Sequence, residues 1–241
     1  TSPTAASSGA DLNGNALLIA CAKLKERLSE VAGEMLGCTP GEVVLRDEKI
    51  FMNGTPTDIT WEKLVRETFL RRIALTENGH YTTPVIFFDK SKEKGHPFAY
   101  HVYGTAVVTV VLDCLRGIYN IDRVLIVHDF GNSLNPAIDR GQIEGGVMQG
   151  IGWMTMEEVL FNSEGKMLTD SLSTYKVPDI YSSPEILECR ALETEGPGPA
   201  LLKSKAIGEP PFMYGIGAYF ALHNAIRAFN PSWKPDFDAP L

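Results

Sequence analysis

The stretch GNSLNPAIDRGQIEGGVMQGIGW, residues 131–153, constrains the fold more than any other part of this 241-residue chain. From residue 141 to 160 the apolar side chains Val147, Ile151, Met154 and Val159 recur at helical spacing, yet Gly145, Gly146, Gly150 and Gly152 sit inside the same run. Each interior glycine gives up roughly 1 kcal/mol of helix stability relative to alanine. A helix carrying four of them needs a compensating gain. One source is close packing against a neighbouring element. The other is close approach of a ligand to the helix backbone, with Gln142 and Gln149 as neutral donors and acceptors. The residues alone leave both readings open.

Around this helix the pattern is mixed. Residues 1–14, TSPTAASSGADLNG, are small and polar, and they lead into a helix in which Ala16, Leu17, Ala20, Cys21, Leu24, Leu28, Val31 and Met35 follow three- and four-residue spacing. Asp11 or Asn13 is the expected N-cap, and Gly37 with Pro40 the expected stop. Residues 42–45 and 49–52 read as strands closed by an Asn53-Gly54 turn, and Thr60 as the cap of a short helix over 61–69. Residues 89–98 (DKSKEKGHPF) read as a loop, 99–112 as a strand, 113–117 as a turn and 124–128 as a short strand. A last helix is expected over 212–229. Strands and helices mix without βαβ alternation, so the expected class is α+β, mixed sheets with packed helices. Internal lobes are expected at about 1–78 and 79–241.

Charge and cysteine usage exclude several functions. Acidic residues outnumber basic ones, 30 to 22, for a formal charge of −8. Nucleic acids and anionic membranes call for clustered Lys and Arg, whereas Lys90, Lys92 and Lys94 are interrupted by Glu93 and flanked by Asp89. No apolar run approaches the ~20 residues of a transmembrane helix. Neither nucleic acid nor membrane is an expected partner. Cys21, Cys38, Cys114 and Cys189 lie far apart with no C-x-x-C pair, which provides neither a zinc ribbon nor an iron–sulfur ligand set and points to reduced thiols in a cytoplasmic setting. No two of the five histidines are three or four residues apart, which argues against a histidine-built metal site. No G-x-S-x-G elbow supports nucleophilic hydrolysis. The chain opens on Thr1 and is expected to be one piece of a larger polypeptide.

Two further segments could carry chemistry. The loop 1–14 is either a nest of backbone amides for an anion at a helix N-terminus or an ordinary polar lead-in. In KAIGEPPFMYGIGAYFA, residues 205–221, Pro210 is expected to push Glu209 into an extended backbone and Pro211 to begin the next helix. Glu209 then either complements a helix dipole or serves as a general base. Gly215-Ile216-Gly217 fails the dinucleotide fingerprint because Phe220 stands where its third glycine would be.

TSPTAASSGADLNG (1–14), FAYHVYG (98–104), GNSLNPAIDRGQIEGGVMQGIGW (131–153) with STYKVPD (173–179), and KAIGEPPF (205–212), taken in that order, resemble the molybdenum-binding subunit of the xanthine dehydrogenase and xanthine oxidase family of molybdenum hydroxylases. The resemblance runs from Thr1 to about Phe229. It implies a molybdenum ion held through the dithiolene of a molybdopterin and not by protein side chains. Residue by residue, Thr4, Ala5, Ala6, Ser7, Ser8 and Gly9 match the loop lining the pterin, with Ala6, Ser7 and Ser8 at the pterin and its phosphate. Gln142 matches a glutamine near the metal's oxo ligand, and Gly208 and Glu209 match the pair beside the metal, Glu209 being the general base. Gly9 departs from the serine of many relatives, which leaves only a backbone amide there.

The implied activity is oxidative hydroxylation of a purine ring carbon, xanthine or hypoxanthine to urate, with water as the oxygen source. Aldehyde oxidase or another N-heterocycle hydroxylase is the nearest enzymatic alternative, and a non-catalytic scaffold or assembly protein the alternative of another class. The resemblance places [2Fe–2S] clusters and FAD on other domains or subunits, with NAD or oxygen as the final acceptor. It makes the rest of the molybdenum-binding subunit a partner and the complete enzyme a dimer. By itself this piece is not expected to turn over.

Overall fold

The computed structural model describes residues 7–234. Two compact units divide them, one formed by Gly9–Pro84 and the other by residues 7–8 and 85–234.

In the Gly9–Pro84 unit, one π-helical turn, Ala10–Gly14, runs without a break into α1, Asn15–Leu36. The expected N-cap at Asp11 or Asn13 is therefore wrong. The backbone is already helical at Gly9, φ −58° and ψ −44°, so Asp11 and Asn13 lie inside the helical run and neither stands at the extended position from which a side chain caps. The stop is as expected. Gly37 adopts φ 70°, and the N–H of Cys38 returns to the Gly33 carbonyl at 2.9 Å, closing the helix with a left-handed cap. Leu28, Val31 and Ala32 bury their side chains against Val43, Ile50 and Leu64.

Ile50 and Val43 belong to an antiparallel sheet of β1 (Val43–Arg46), β2 (Lys49–Met52) and β3 (Thr55–Thr60). Both connections are two-residue turns with positive φ at each position, Asp47-Glu48 and Asn53-Gly54, the geometry that matches strand twist. Leu64 comes from α2, Trp61–Leu70, whose first turn Thr60 caps by accepting the Lys63 N–H at 3.2 Å.

The second unit begins with a hairpin of β4 (Phe87–Asp89) and β5 (Lys94–His96), so the 89–98 segment is not all loop. Gly95 permits it, since a Cβ there would lie 2.3 Å from the Phe87 carbonyl oxygen. The main sheet follows. β6 (Gly104–Asp113) pairs antiparallel with β7 (Ile118–His128), and β8 (Ile186–Ala191) adds in parallel to β7. β6 starts later than expected because its ladder ends where Gly104 meets His128, the last residue of β7.

Two helices cover one face of this sheet. α3 spans Pro136–Thr155, five residues earlier than expected, because Asn135 caps it through the Ala137 and Ile138 N–H groups and Pro136 supplies a preset first turn. α4 spans Ile216–Phe229 and is preceded by a separate 3₁₀ turn, Pro210–Gly215. Ile121, Val124, Ile126, Ile143, Val147, Ile151 and Ala218 form the core between sheet and helices. The class is α+β, with parallel and antiparallel pairing in one sheet.

Candidate functional site

The glycines of α3 divide by face. A Cβ on Gly146 would meet Pro211 at 3.2 Å, one on Gly150 the Phe212 carbonyl oxygen at 2.1 Å, and one on Gly152 the Pro178 ring at 2.3 Å. These three are required by packing. Gly141 and Gly145, by contrast, have nothing within 4 Å of such an atom, and they lie with Ile138, Gln142 and Gln149 along the exposed face of the helix.

That packing seats the 3₁₀ turn Pro210–Gly215 on α3 and so fixes the residue just before it, Glu209. Its backbone is right-handed helical, φ −96° and ψ −38°, not extended as expected from the following proline. Two hydrogen bonds offset the pre-proline preference. The Phe212 N–H donates to the Glu209 carbonyl at 3.1 Å, and the Glu209 N–H donates to Ser7 Oγ at 2.8 Å.

Ser7 Oγ also donates to Glu209 Oε2 at 3.3 Å. Ser7 itself holds a left-handed φ of 52°. Gly208 fits between, since a Cβ there would lie 2.9 Å from Ser7 Oγ and 3.7 Å from Gln142 Oε1. Four of the expected site residues, Ser7, Gln142, Gly208 and Glu209, thus come together from three distant stretches of chain. Glu209, Gly208 and Gln142 are exposed. Ser8 is half-buried beside this loop, and Gly9 is the first residue of the helix of the other unit. Thr4, Ala5 and Ala6 lie outside the described residues.

Behind the exposed patch is a buried polar anchor that the sequence reading did not single out. Asp129 is fully buried and pairs with Lys205, itself almost buried. Asp129 also accepts from Thr194 Oγ1 and, at 3.1 Å, from the Gly131 N–H. Burial pushes the Asp129 carboxyl up, but the bonds from Lys205, Thr194 and Gly131 outweigh it and hold it below the usual carboxylate range. The Lys205 ammonium donates further to the His101 carbonyl at 3.3 Å and stands 5.5 Å from the Tyr103 ring centre. Backbone bonds from Lys205 to the Phe130 carbonyl, 2.7 Å, and from Ala206 to Tyr100 Oη, 3.1 Å, complete the mooring of the segment that leads to Glu209. One signal was legible, a His-Asp pair at a strand end followed by glycine, HDFG at 128–131.

His128 and Tyr214 lie alongside, with His128 Nδ1 and Tyr214 Oη 2.7 Å apart. Burial lowers the His128 pKa against the opposing Asp129 charge, and burial raises the Tyr214 phenol to about 12. Tyr214 Oη fills the space where any side chain at Gly104 would begin. Both are neutral wedges of the fold.

Chemically, the exposed patch offers one carboxylate, one hydroxyl, neutral amides and bare helix backbone. Among the described residues no group of three His, Cys, Asp or Glu side chains could hold a metal ion. A group seated here would be gripped by hydrogen bonds and close backbone approach, and a metal would need ligands brought by that group.

The family model of the molybdopterin cofactor-binding domain matches residues 1–184, a range that takes in Ser7 and Gln142 and stops before Glu209. The chain is 38% identical over 228 residues to a xanthine dehydrogenase/oxidase of Mus musculus, covering 95% of this chain and 16% of that protein. It is 34% identical over 243 residues to a xanthine dehydrogenase of Drosophila subobscura, again 16% of the relative's length. The chain therefore spans about a sixth of the curated relatives it matches. Among solved structures, quinoline 2-oxidoreductase from Pseudomonas putida 86 superimposes with a TM-score of 0.74 at 24% identity, over 93% of this chain and 28% of the other, a likeness of fold.

Proposed function

Because the chain belongs to the molybdopterin cofactor-binding domain family, we propose that it supplies the proton-accepting side of a molybdenum hydroxylase site that oxidises a purine ring carbon, with Glu209 as general base. The observation that carries this reading is the meeting of Ser7, Gln142, Gly208 and Glu209 at one exposed point. The net reaction is R–H + H₂O → R–OH + 2 H⁺ + 2 e⁻. A molybdenum–pterin group, when bound, supplies the two-electron sink.

The chain's own residues do the rest. Glu209 takes a proton from the water-derived nucleophile, a role worth roughly 10²–10⁴-fold in rate for a well-placed carboxylate. Gln142 presents a neutral amide beside Gly208 that can hold an oxygen at the cofactor's edge without adding charge. Ser7, Ser8 and the loop 4–9 line the pterin and its phosphate, and the open glycines of α3 let it approach the helix backbone. Iron–sulfur and FAD domains receive the electrons and pass them to NAD or oxygen. The remainder of the molybdenum-binding subunit is the nearest partner, and the complete enzyme is a cytoplasmic dimer. The wide apolar exposure of Val85, Ile86, Phe87 and Phe88 supports a large partner surface. Four free cysteines support a reducing compartment. No helix among the described residues is long and apolar enough to cross a membrane.

The test is Glu209→Gln in the complete enzyme. We expect full molybdenum and pterin content with xanthine turnover reduced about 10²–10⁴-fold. Turnover near the parental rate removes Glu209 as the base. A purified parent complex that contains neither molybdenum nor pterin removes the enzymatic reading altogether. Parallel assays with xanthine and an aromatic aldehyde separate the purine reading from that of an aldehyde oxidase.

A further inference from the structure

Resting on the reading of Glu209 as the proton acceptor, we propose that Ser7 is the positioning residue of that carboxylate and acts on the reaction through Glu209. An exposed glutamate has three free side-chain torsions, and holding them in one arrangement costs about 1–2 kcal/mol of conformational entropy. Among the described residues no cation pairs with Glu209, and Ser7 is the side chain that hydrogen-bonds its carboxylate.

The contact is two-sided. Ser7 Oγ accepts the Glu209 N–H at 2.8 Å and donates its own proton to Oε2 at 3.3 Å, so a single hydroxyl fixes both the backbone and the head of the same residue. With one lone pair of Oε2 engaged by Ser7, Oε1 is the more open oxygen for a proton. Ser7 holds φ 52° to reach this position, and the absence of a side chain on Gly208 leaves room for its hydroxyl. A left-handed serine pointing at a cofactor alone would have no need of the second bond to Oε2.

The experiment is a double-mutant cycle in the complete enzyme: parent, Ser7→Ala, Glu209→Gln and the double variant, with Ser7→Gly as a further single. Three quantities are read: molybdenum and pterin per protein, kcat and KM with xanthine, and hydrogen exchange of the peptide covering residues 205–212. Ser7→Ala and Ser7→Gly are each expected to lower kcat per bound molybdenum about 10–100-fold with KM little changed, and to speed exchange at the Glu209 amide. In the double variant kcat should fall no further than in Glu209→Gln alone.

Losses that multiply in the double variant, or a fall in turnover that only follows lost pterin and vanishes per bound molybdenum, mean that Ser7 works at the cofactor alone and overturn the proposal. Parental turnover in Ser7→Gly, which keeps a left-handed backbone easily but has no hydroxyl, overturns it as well. A Glu209→Gln enzyme at the parental rate overturns the underlying reading, and this proposal with it. If Ser7→Ala fails to fold, Ser7→Gly alone carries the cycle.

Discussion

Asp129 and Glu209 are two carboxylates of the same unit in opposite circumstances. Asp129 is sealed in, with Lys205, Thr194 and a backbone N–H on its oxygens. Glu209, four residues beyond Lys205, is exposed and is held by one serine hydroxyl. The sealed pair cannot exchange protons with anything useful, but it moors the chain from which the open one projects. Rigidity and reactivity have been separated by four residues of backbone. That division explains how an exposed side chain can be accurately placed without a charge partner that would quench it.

Removing the sealed charge should have the largest effect. Asp129→Ala leaves the Lys205 ammonium buried without its partner, and a loss of about 3–5 kcal/mol in stability is expected from a urea unfolding midpoint. A variant as stable as the parent would mean that the mooring lies elsewhere. Next comes the support behind the open carboxylate. Gly150→Ala would place a Cβ 2.1 Å from the Phe212 carbonyl oxygen. Such overpacking should cost about 1–3 kcal/mol and lower turnover, because the 210–215 turn must shift. Unchanged turnover would uncouple the turn from Glu209.

The smallest effect is that of pH. Burial lowers the pKa of His128, and also that of His223, so the unfolded chain binds protons that the folded chain refuses. Stability therefore rises with pH through the window just below the ordinary histidine value of about 6.5 and falls on acidification. The Asp129 contribution has its own window: a carboxyl held low when folded keeps stabilising until pH drops through the ordinary carboxylate value of about 3.9 and below. Unfolding midpoints compared at about pH 7.5 and 5.5 should fall toward acid, with a flatter slope in His128→Gln. A flat parental profile would contradict the burial of neutral imidazoles.

Much of this was legible in the residues. α1 and α2 announced themselves by apolar spacing, and Gly37 and Thr60 by their conformational and capping preferences. The compensation demanded by the glycines of α3 proved to be packing at Gly146, Gly150 and Gly152, while Gly141 and Gly145 were left facing open space. What failed to show was whatever depends on partners far along the chain. β3 and β8 are short, and their alternation is weak until β2 and β7 supply ladders for them. The helical backbone of Glu209 is imposed by Ser7 and Phe212 against a local proline rule. Lys205 looks like any surface lysine until Asp129, which is distant in sequence, arrives beside it.

The parallel seating of β8 on β7 sets an order of assembly. Arg123 pairs with Ile186, and no tight turn can join parallel neighbours, so α3 and the whole segment after it form the crossover. Ladders closed over such separations form slowly, whereas β1, β2 and β3 are joined by two-residue turns that need almost no search. The Gly9–Pro84 unit is thus the early structure in the life of this chain. The sheet that seats the Glu209 segment is expected to be the late one, because its parallel ladder closes over the longest stretch of chain.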